Sequence, residues 1–343
     1  MKKIKIAQIG TSNYSHGNLI WESLKRQPHL FEIAGYAMPE NEEEKFPDKM
    51  PAFEGYRKLT VEEILHDPSI TAVLVETEEL FLTKYAIMAA KSGKHVHMEK
   101  PGGQNPAEFE ELIATVRETK KVLHLGYMYR YNPYVAELIK QAKNGELGEI
   151  ISVEAQMNRI APQTDEARQW LSCFKGGITF FLNCHLIDLI FRICGKPEDI
   201  IPFNCVSGIN GTDSEDFGMV IFKYKNGVSF AKTNAAEIGG YPRRQLVVAG
   251  TKKTVEIKPL EVNAGGYHIY SVKTEYFNPN QPGQPLTSKS DIFDRYGVVT
   301  EAFASYVRGE EENPYTLDYE LELYKIILKA CGISDESHSD KTC

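Results

Sequence analysis

Apolar runs and amphipathic stretches alternate through the first third of the chain. Residues 4–9, 31–37, 72–75, 94–98 and 122–126 read as short buried strands. Helices are predicted between them. One begins at 19–24, and a short one opens at Thr60-Val61-Glu62-Glu63, which has capping-box spacing. A third spans 81–91 and stops at Gly93, and residues 39–49 form an acidic, turn-like tract. Asn105-Pro106-Ala107-Glu108 supplies an N-cap, a first-turn proline and an N3 acid, after which Phe109, Leu112, Ile113 and Val116 share one helical face. Strands alternating with helices predict a parallel sheet covered on both faces. Ligands of such sheets bind beyond the strands' carboxyl ends, which directs attention to residues 10–17, 38–40, 76–82 and 99–101.

The pattern changes near Pro133. Asn132 caps a helix running to Gly145, and strands dominate from Ile150: 150–157, 217–224, 227–233, 245–249 and 267–274. Lys225-Asn226-Gly227 is a hairpin turn. Helices are predicted at 181–194, 298–308 and 317–331, and no internal repeat is visible. The predicted class is α/β. A doubly wound Rossmann sheet occupies 1–126, an α+β domain with a large, mostly antiparallel open sheet occupies 127–333, and 334–343 is a frayed tail.

Length and composition fit two soluble domains: 343 residues, 42% hydrophobic and 25% charged. A net charge of −8 disfavours nucleic acid and anionic membrane surfaces as partners, and no apolar run is long enough to span a bilayer. The polar start, Met1-Lys2-Lys3-Ile4-Lys5, does not read as a signal peptide. Six cysteines without a C-x-x-C pair read as reduced thiols in a cytoplasmic protein.

Gly10-Thr11-Ser12-Asn13-Tyr14-Ser15-His16-Gly17 lies between the first strand and first helix, where a dinucleotide turn belongs. Its spacing is not G-x-G-x-x-G, because Ser12 stands at the second glycine. By itself the turn fits a phosphate cradle or a plain loop equally. The second strand ends in Met38-Pro39-Glu40, with no arginine or lysine expected nearby to hold a 2′-phosphate. Glu40, Glu42, Glu43 and Glu44 would repel a 2′-phosphate, so NAD is favoured over NADP.

The run Gly93-Lys94-His95-Val96-His97-Met98-Glu99-Lys100-Pro101 resembles the G-K-H-V-x-x-E-K-P stretch of the glucose–fructose oxidoreductase / inositol dehydrogenase family (Gfo/Idh/MocA). The segment from Gly126 to Pro133, with Arg130 inside it, is similar to that family's domain junction. Gly145-Glu146-Leu147-Gly148-Glu149-Ile150 resembles its entry to the second domain, and Gly176-Gly177 with His185-Leu186-Ile187-Asp188 its active-site helix. The similarity extends over about residues 4–332. The resemblance implies NAD(P) and redox chemistry at a hydroxyl or carbonyl of a sugar, glycoside or cyclitol, with Lys100 and His185 as catalytic residues. The family's aspartate is replaced by Phe181, its following glycine by Asn183, and the T-P-x-x-x-H loop by Thr77-Glu78-Glu79-Leu80-Phe81-Leu82.

The candidate cofactor-binding residues are Gly10, Thr11, Ser12, Asn13, Tyr14, Thr77, Glu99 and Lys100. Histidine suits removal of a hydroxyl proton and lysine suits stabilisation of the oxygen. Tyr129, Arg159, Trp170 and His185 are candidate substrate contacts, with Arg130 and Arg168 also considered. Asp188, one turn beyond His185, either orients the imidazole or forms a surface pair. Cys184 is read as packing, and no metal is expected. The expected partners are a small sugar-type substrate and further copies of the chain, as a dimer or tetramer. Loss of the aspartate leaves two variants open: a redox-neutral enzyme that retains its NAD, and a non-catalytic nucleotide-binding regulator on the same fold.

Overall fold

The computed structural model describes residues 3–159, 170–277 and 285–333. Contacts divide the chain into two units: Met1–Met128 with Asp294–Glu322, and Tyr129–Phe293 with Leu323–Cys343. The stretch from Asp294 to Glu322 therefore packs with the first unit rather than with the second, as a single boundary near residue 126 had implied.

The first unit is built on a five-stranded parallel sheet of order β2-β1-β3-β4-β5. The strands are β1 (Ile4–Ile9), β2 (Phe31–Ala37), β3 (Ala72–Val75), β4 (His95–Met98) and β5 (Leu123–Leu125). All of β3 is buried, as expected of a strand covered on both faces. Helices α1 (Gly17–Arg26), α2 (Glu42–Lys45), α3 (Val61–His66), α4 (Leu82–Lys91) and α5 (Pro106–Thr119) connect the strands. Thr60 and Glu63 form the reciprocal capping box at α3, and Asn105 accepts from the amides of Ala107 and Glu108 at α5. The acidic tract read as a turn contains α2 and a 3₁₀ segment, Pro47–Phe53.

The second unit opens with α6 (Pro133–Lys143), capped by Asn132 as predicted, and β6 (Ile150–Gln156). A π-helical turn, Thr179–Asn183, leads into α7 (Cys184–Cys194). There follow β7 (Asp199–Cys205), β8 (Phe217–Tyr224), β9 (Gly227–Asn234), β10 (Gln245–Gly250), β11 (Thr254–Ile257), β12 (Val262–Gly265), β13 (His268–Tyr270), β14 (Val272–Tyr276), β15 (Leu286–Lys289) and β16 (Phe293–Asp294). Eight of these strands form one sheet, β15-β14-β11-β10-β6-β9-β8-β7, antiparallel except for β6 against β9. Tyr224 pairs with Gly227, so the β8–β9 hairpin turns on Lys225-Asn226. The single strand predicted at 267–274 is two strands in different sheets. Ser271 divides them, its hydroxyl turned to Leu260 O at 2.7 Å. Two helices close the chain: α8 (Gly297–Arg308), which packs on α1, and α9 (Leu317–Ala330).

Cys184, Cys194, Cys205 and Cys331 are free thiols. Cys173 is disulfide-bonded, which corrects the expectation of uniformly reduced cysteines. Its partner, Arg168 and the predicted tail lie outside the described residues. Among the described residues no helix is long and apolar enough to cross a membrane, and no cluster of His, Cys, Asp or Glu could hold a metal ion.

Candidate functional site

The carboxyl ends of β1, β3 and β4 bring together most of the predicted cofactor residues. Gly10 has φ +85°, and a Cβ there would fall 2.3 Å from Thr77 Cγ2. Only glycine lets the β1 turn lie directly against the β3 turn. Ser12 and Ser15 fold the turn upon itself. Ser12 Oγ accepts from the amides of Tyr14 (3.1 Å) and Ser15 (2.8 Å), and Ser15 Oγ accepts from those of Ser12 and Gly17. Thus Ser12 does not leave a gap where a glycine was expected; it closes the turn with side-chain bonds. The amides of Asn13 and His16 have no acceptor among the described residues, and the buried Thr11 hydroxyl has no hydrogen-bond partner there. These groups, at the start of α1, suit an anionic ligand. The residues present therefore fit a dinucleotide, whose phosphates Asn13, His16 and Thr11 would hold.

The acid that reaches this turn is Glu42, which the reading of the β2 end had not singled out. Its Oε2 accepts from the Thr11 amide at 3.1 Å and its Oε1 from the Glu78 amide at 3.3 Å. Burial pushes its carboxyl up to about 8 despite those two bonds. Glu40 points elsewhere, taking Lys84 at 2.7 Å and the Tyr85 hydroxyl at 2.7 Å. Lys58 pairs with Glu43, and Lys45 meets Glu78 at 2.9 Å. The expectation that no lysine stands near the acidic tract is thereby corrected: folding brings Lys58 and Lys84 to it from the β2–α3 connection and from α4.

Glu99 and Lys100 follow β4, both buried. Lys100 Nζ lies 3.7 Å from Glu99 Oε1, and His16 Nδ1 lies 3.6 Å from Glu99 Oε2. Burial alone would raise the Glu99 carboxyl; the His16 hydrogen bond and the Lys100 charge bring it below its usual range. Two more acids are buried nearby. Burial, with the charges of Glu99 and Glu79, pushes Glu76 well up, and burial raises Glu79 to about 8 against the pull of Lys100. Neither carboxyl has a hydrogen-bond partner among the described residues. Beneath them the register pairs His97 with His124, Nδ1 to Nδ1 at 2.7 Å, and His97 Nε2 lies 3.5 Å from Glu76 Oε1.

The second unit holds the other candidates. His185 is buried at the start of α7, and the Tyr129 ring meets it edge-on at 5.5 Å. Tyr129 donates its hydroxyl to Glu261 Oε1, which also accepts from Arg244 Nη1 at 2.8 Å. Asp188 neither orients His185 nor forms a surface pair. It is buried and receives Arg130 at both oxygens, Nε at 2.9 Å and Nη2 at 2.8 Å. Trp170 packs into an aromatic cluster, 5.1 Å from Phe174 and 4.9 Å from Phe181. Phe181, at the place of the family's aspartate, belongs to that apolar cluster, and Asn183 donates to Ala231 O at 3.4 Å. Cys184 is buried, its thiol turned to Phe181 O.

Residues 4–127 match GFO_IDH_MocA, the oxidoreductase family with an NAD-binding Rossmann fold, and residues 135–256 match the GFO/IDH/MocA C-terminal domain. The chain belongs to this oxidoreductase family. The trans-1,2-dihydrobenzene-1,2-diol dehydrogenase of Bos taurus is 26% identical over 288 residues, 80% of this chain and 81% of the relative. The fold is shared with the aldose-aldose oxidoreductase of Caulobacter crescentus (TM-score 0.77, 18% identity, 96% of this chain and 98% of that one). It is shared also with a levoglucosan dehydrogenase solved with NADH and levoglucosan (TM-score 0.76, 17% identity, 96% and 98%). Membership carries an NAD(P)-binding Rossmann domain and dehydrogenase-type relatives.

Proposed function

We propose that the protein is an NAD-dependent dehydrogenase acting on a CH–OH group of a sugar, glycoside or cyclitol. The observation that carries the reading is Lys100, a buried ammonium fixed beside Glu99 at the carboxyl end of β4, on the sheet edge where the Gly10 turn awaits phosphates. When bound, NAD supplies the acceptor for a hydride. Lys100 holds the substrate oxygen and stabilises its developing charge. His185 takes the hydroxyl proton as the C–H electron pair leaves and the C=O bond forms. Glu44, exposed and with no cation partner among the described residues, disfavours the 2′-phosphate of NADP.

Titration calorimetry with NAD and NADP tests the cofactor. Failure of the apo protein to bind either removes the reading, whereas tight NADP binding removes only the choice of cofactor. A panel of sugars, glycosides and inositols, assayed by NADH absorbance together with product mass spectrometry, tests the activity. Mass spectrometry is needed because a redox-neutral enzyme that retains its NAD shows no net NADH. Silence in both assays leaves the non-catalytic reading.

A further inference from the structure

In the second unit, two carboxylates already have their cations. Glu261 takes Arg244 at 2.8 Å and the Tyr129 hydroxyl on one oxygen, and the Tyr241 hydroxyl at 3.1 Å on the other. Glu237 takes Arg243 at 2.5 Å, the Asn158 amide at 2.7 Å and Lys232 at 3.9 Å. Arg159 stands next to both groups. Its backbone is pinned by Asn234 O at 2.9 Å and by the Glu237 amide at 3.3 Å, and its half-buried guanidinium has no carboxylate partner among the described residues. Burial, and then the Arg244 charge, push that guanidinium down from its ordinary range. A second desolvated cation beside Arg244 is unfavourable unless an anion joins it.

The cluster is linked to His185, because Arg244 Nη1 also reaches the Tyr129 hydroxyl at 3.3 Å and Tyr129 packs on the imidazole. We propose that the substrate is a sugar acid, its carboxylate received by Arg159 beside Arg244. This rests on the dehydrogenase reading above. A planar guanidinium matches a carboxylate through two parallel bonds, so a uronic or aldonic acid is the class expected.

Calorimetry on the NAD-loaded protein tests this, with D-glucuronate and D-galacturonate against D-glucose, D-galactose and glucose 6-phosphate. At least one uronate is expected to bind about 10- to 100-fold tighter than its neutral parent, the scale of a charge-assisted pair. Arg159→Gln should bring that ratio close to one, and Arg159→Lys should keep part of it, with melting temperatures confirming that both variants fold. Equal binding of acids and neutral parents, a preference that survives Arg159→Gln, or binding of the sugar phosphate alone would overturn the proposal. Arg159-dependent uronate binding without an oxidised product would remove the dehydrogenase reading and leave acid recognition standing. Turnover of neutral sugars without any uronate preference would do the reverse.

Discussion

Phe181 sets an aromatic ring packed on Trp170 where the family resemblance has a carboxylate, so in the proposed mechanism proton work falls more heavily on His185 and Lys100. Lys100→Ala and His185→Ala should each lower kcat about 10²-fold or more, the scale of a lost electrostatic or acid–base group. Phe181→Asp separates the roles. A carboxylate one helical turn before His185 stabilises the imidazolium, so the acidic limb of the pH–rate profile should move to higher pH. An unmoved limb, with full activity in His185→Ala, would show that the base lies elsewhere. Glu42 supports a second prediction. Its carboxyl is held near 8, so it ionises beside the phosphate turn as pH rises through that value. NAD affinity should fall between pH 7 and 9, and Glu42→Gln should flatten that dependence in a calorimetric series. Gly10 was legible from its place after β1, while Lys100 and His185 were named through the family resemblance. Glu42 was not, because it lies five residues past the end of β2 and only the fold of α2 brings it to the Thr11 amide.

At the scale of elements, caps and periodicity were the readable signals. The Thr60–Glu63 box and the Asn105 and Asn132 caps place α3, α5 and α6 where the sequence puts them, because each rests on a bond across two or three residues. Strands β7, β11, β12, β15 and β16 escaped notice. Pro202 interrupts the β7 pattern, β11, β12 and β15 are only four residues each and β16 two, and β12 and β15 are largely exposed, so neither length nor a clear apolar alternation marks them. The pairing of His97 with His124 could have been found, since both stand mid-strand in adjacent predicted strands; their packing on Phe303 of α8 could not. This buried group has a pH signature. Burial lowers His97 and His95 to about 4 while the unfolded imidazoles titrate near 6.5, so above about pH 7 both are largely neutral in either state and give little slope. Glu42 and Glu79, raised to about 8, stay protonated in the fold while the unfolded chain releases their protons above about 4.5. Their contribution is complete below about 4.5 and is lost as pH rises toward about 8. The melting temperature should therefore fall from pH 7 to 8. Glu79→Gln should make that fall shallower, and His97→Gln should leave its slope unchanged. A melting temperature that rises over this interval would contradict the assignment of buried protonated acids.

For the whole molecule, the eight-stranded sheet poses the remaining question, since one of its faces carries large apolar side chains on β7, β8 and β9, beside Lys223, Lys232 and Glu154. In the β7–β8 register Ile201 stands opposite Ile221 and Phe203 opposite Met219, while Phe230 of β9 pairs with Ile221. Their neighbours Ile200, Val220, Phe222 and Ala231 point the other way and are buried in the core. The outward residues stay open in the single chain: Ile201 is 41% exposed, Phe203 49% and Val228 51%. A contiguous patch of this kind marks an association surface, and a broad sheet face is self-complementary about a two-fold axis. The protein is accordingly expected to be a homo-oligomer, a dimer or a tetramer built from dimers, with this face inside. Sedimentation velocity should show a species of at least twice the chain mass. Phe203→Glu, which sets a charge within the patch and adds a like charge on each copy, should shift it to monomer by weakening association about 10²-fold or more. NAD binding should survive in the monomer, since the Gly10 turn, Glu42 and Lys100 all belong to the other unit. A wild-type protein that sediments as a monomer, or a Phe203→Glu variant with unchanged mass, would mean that this face is not the interface.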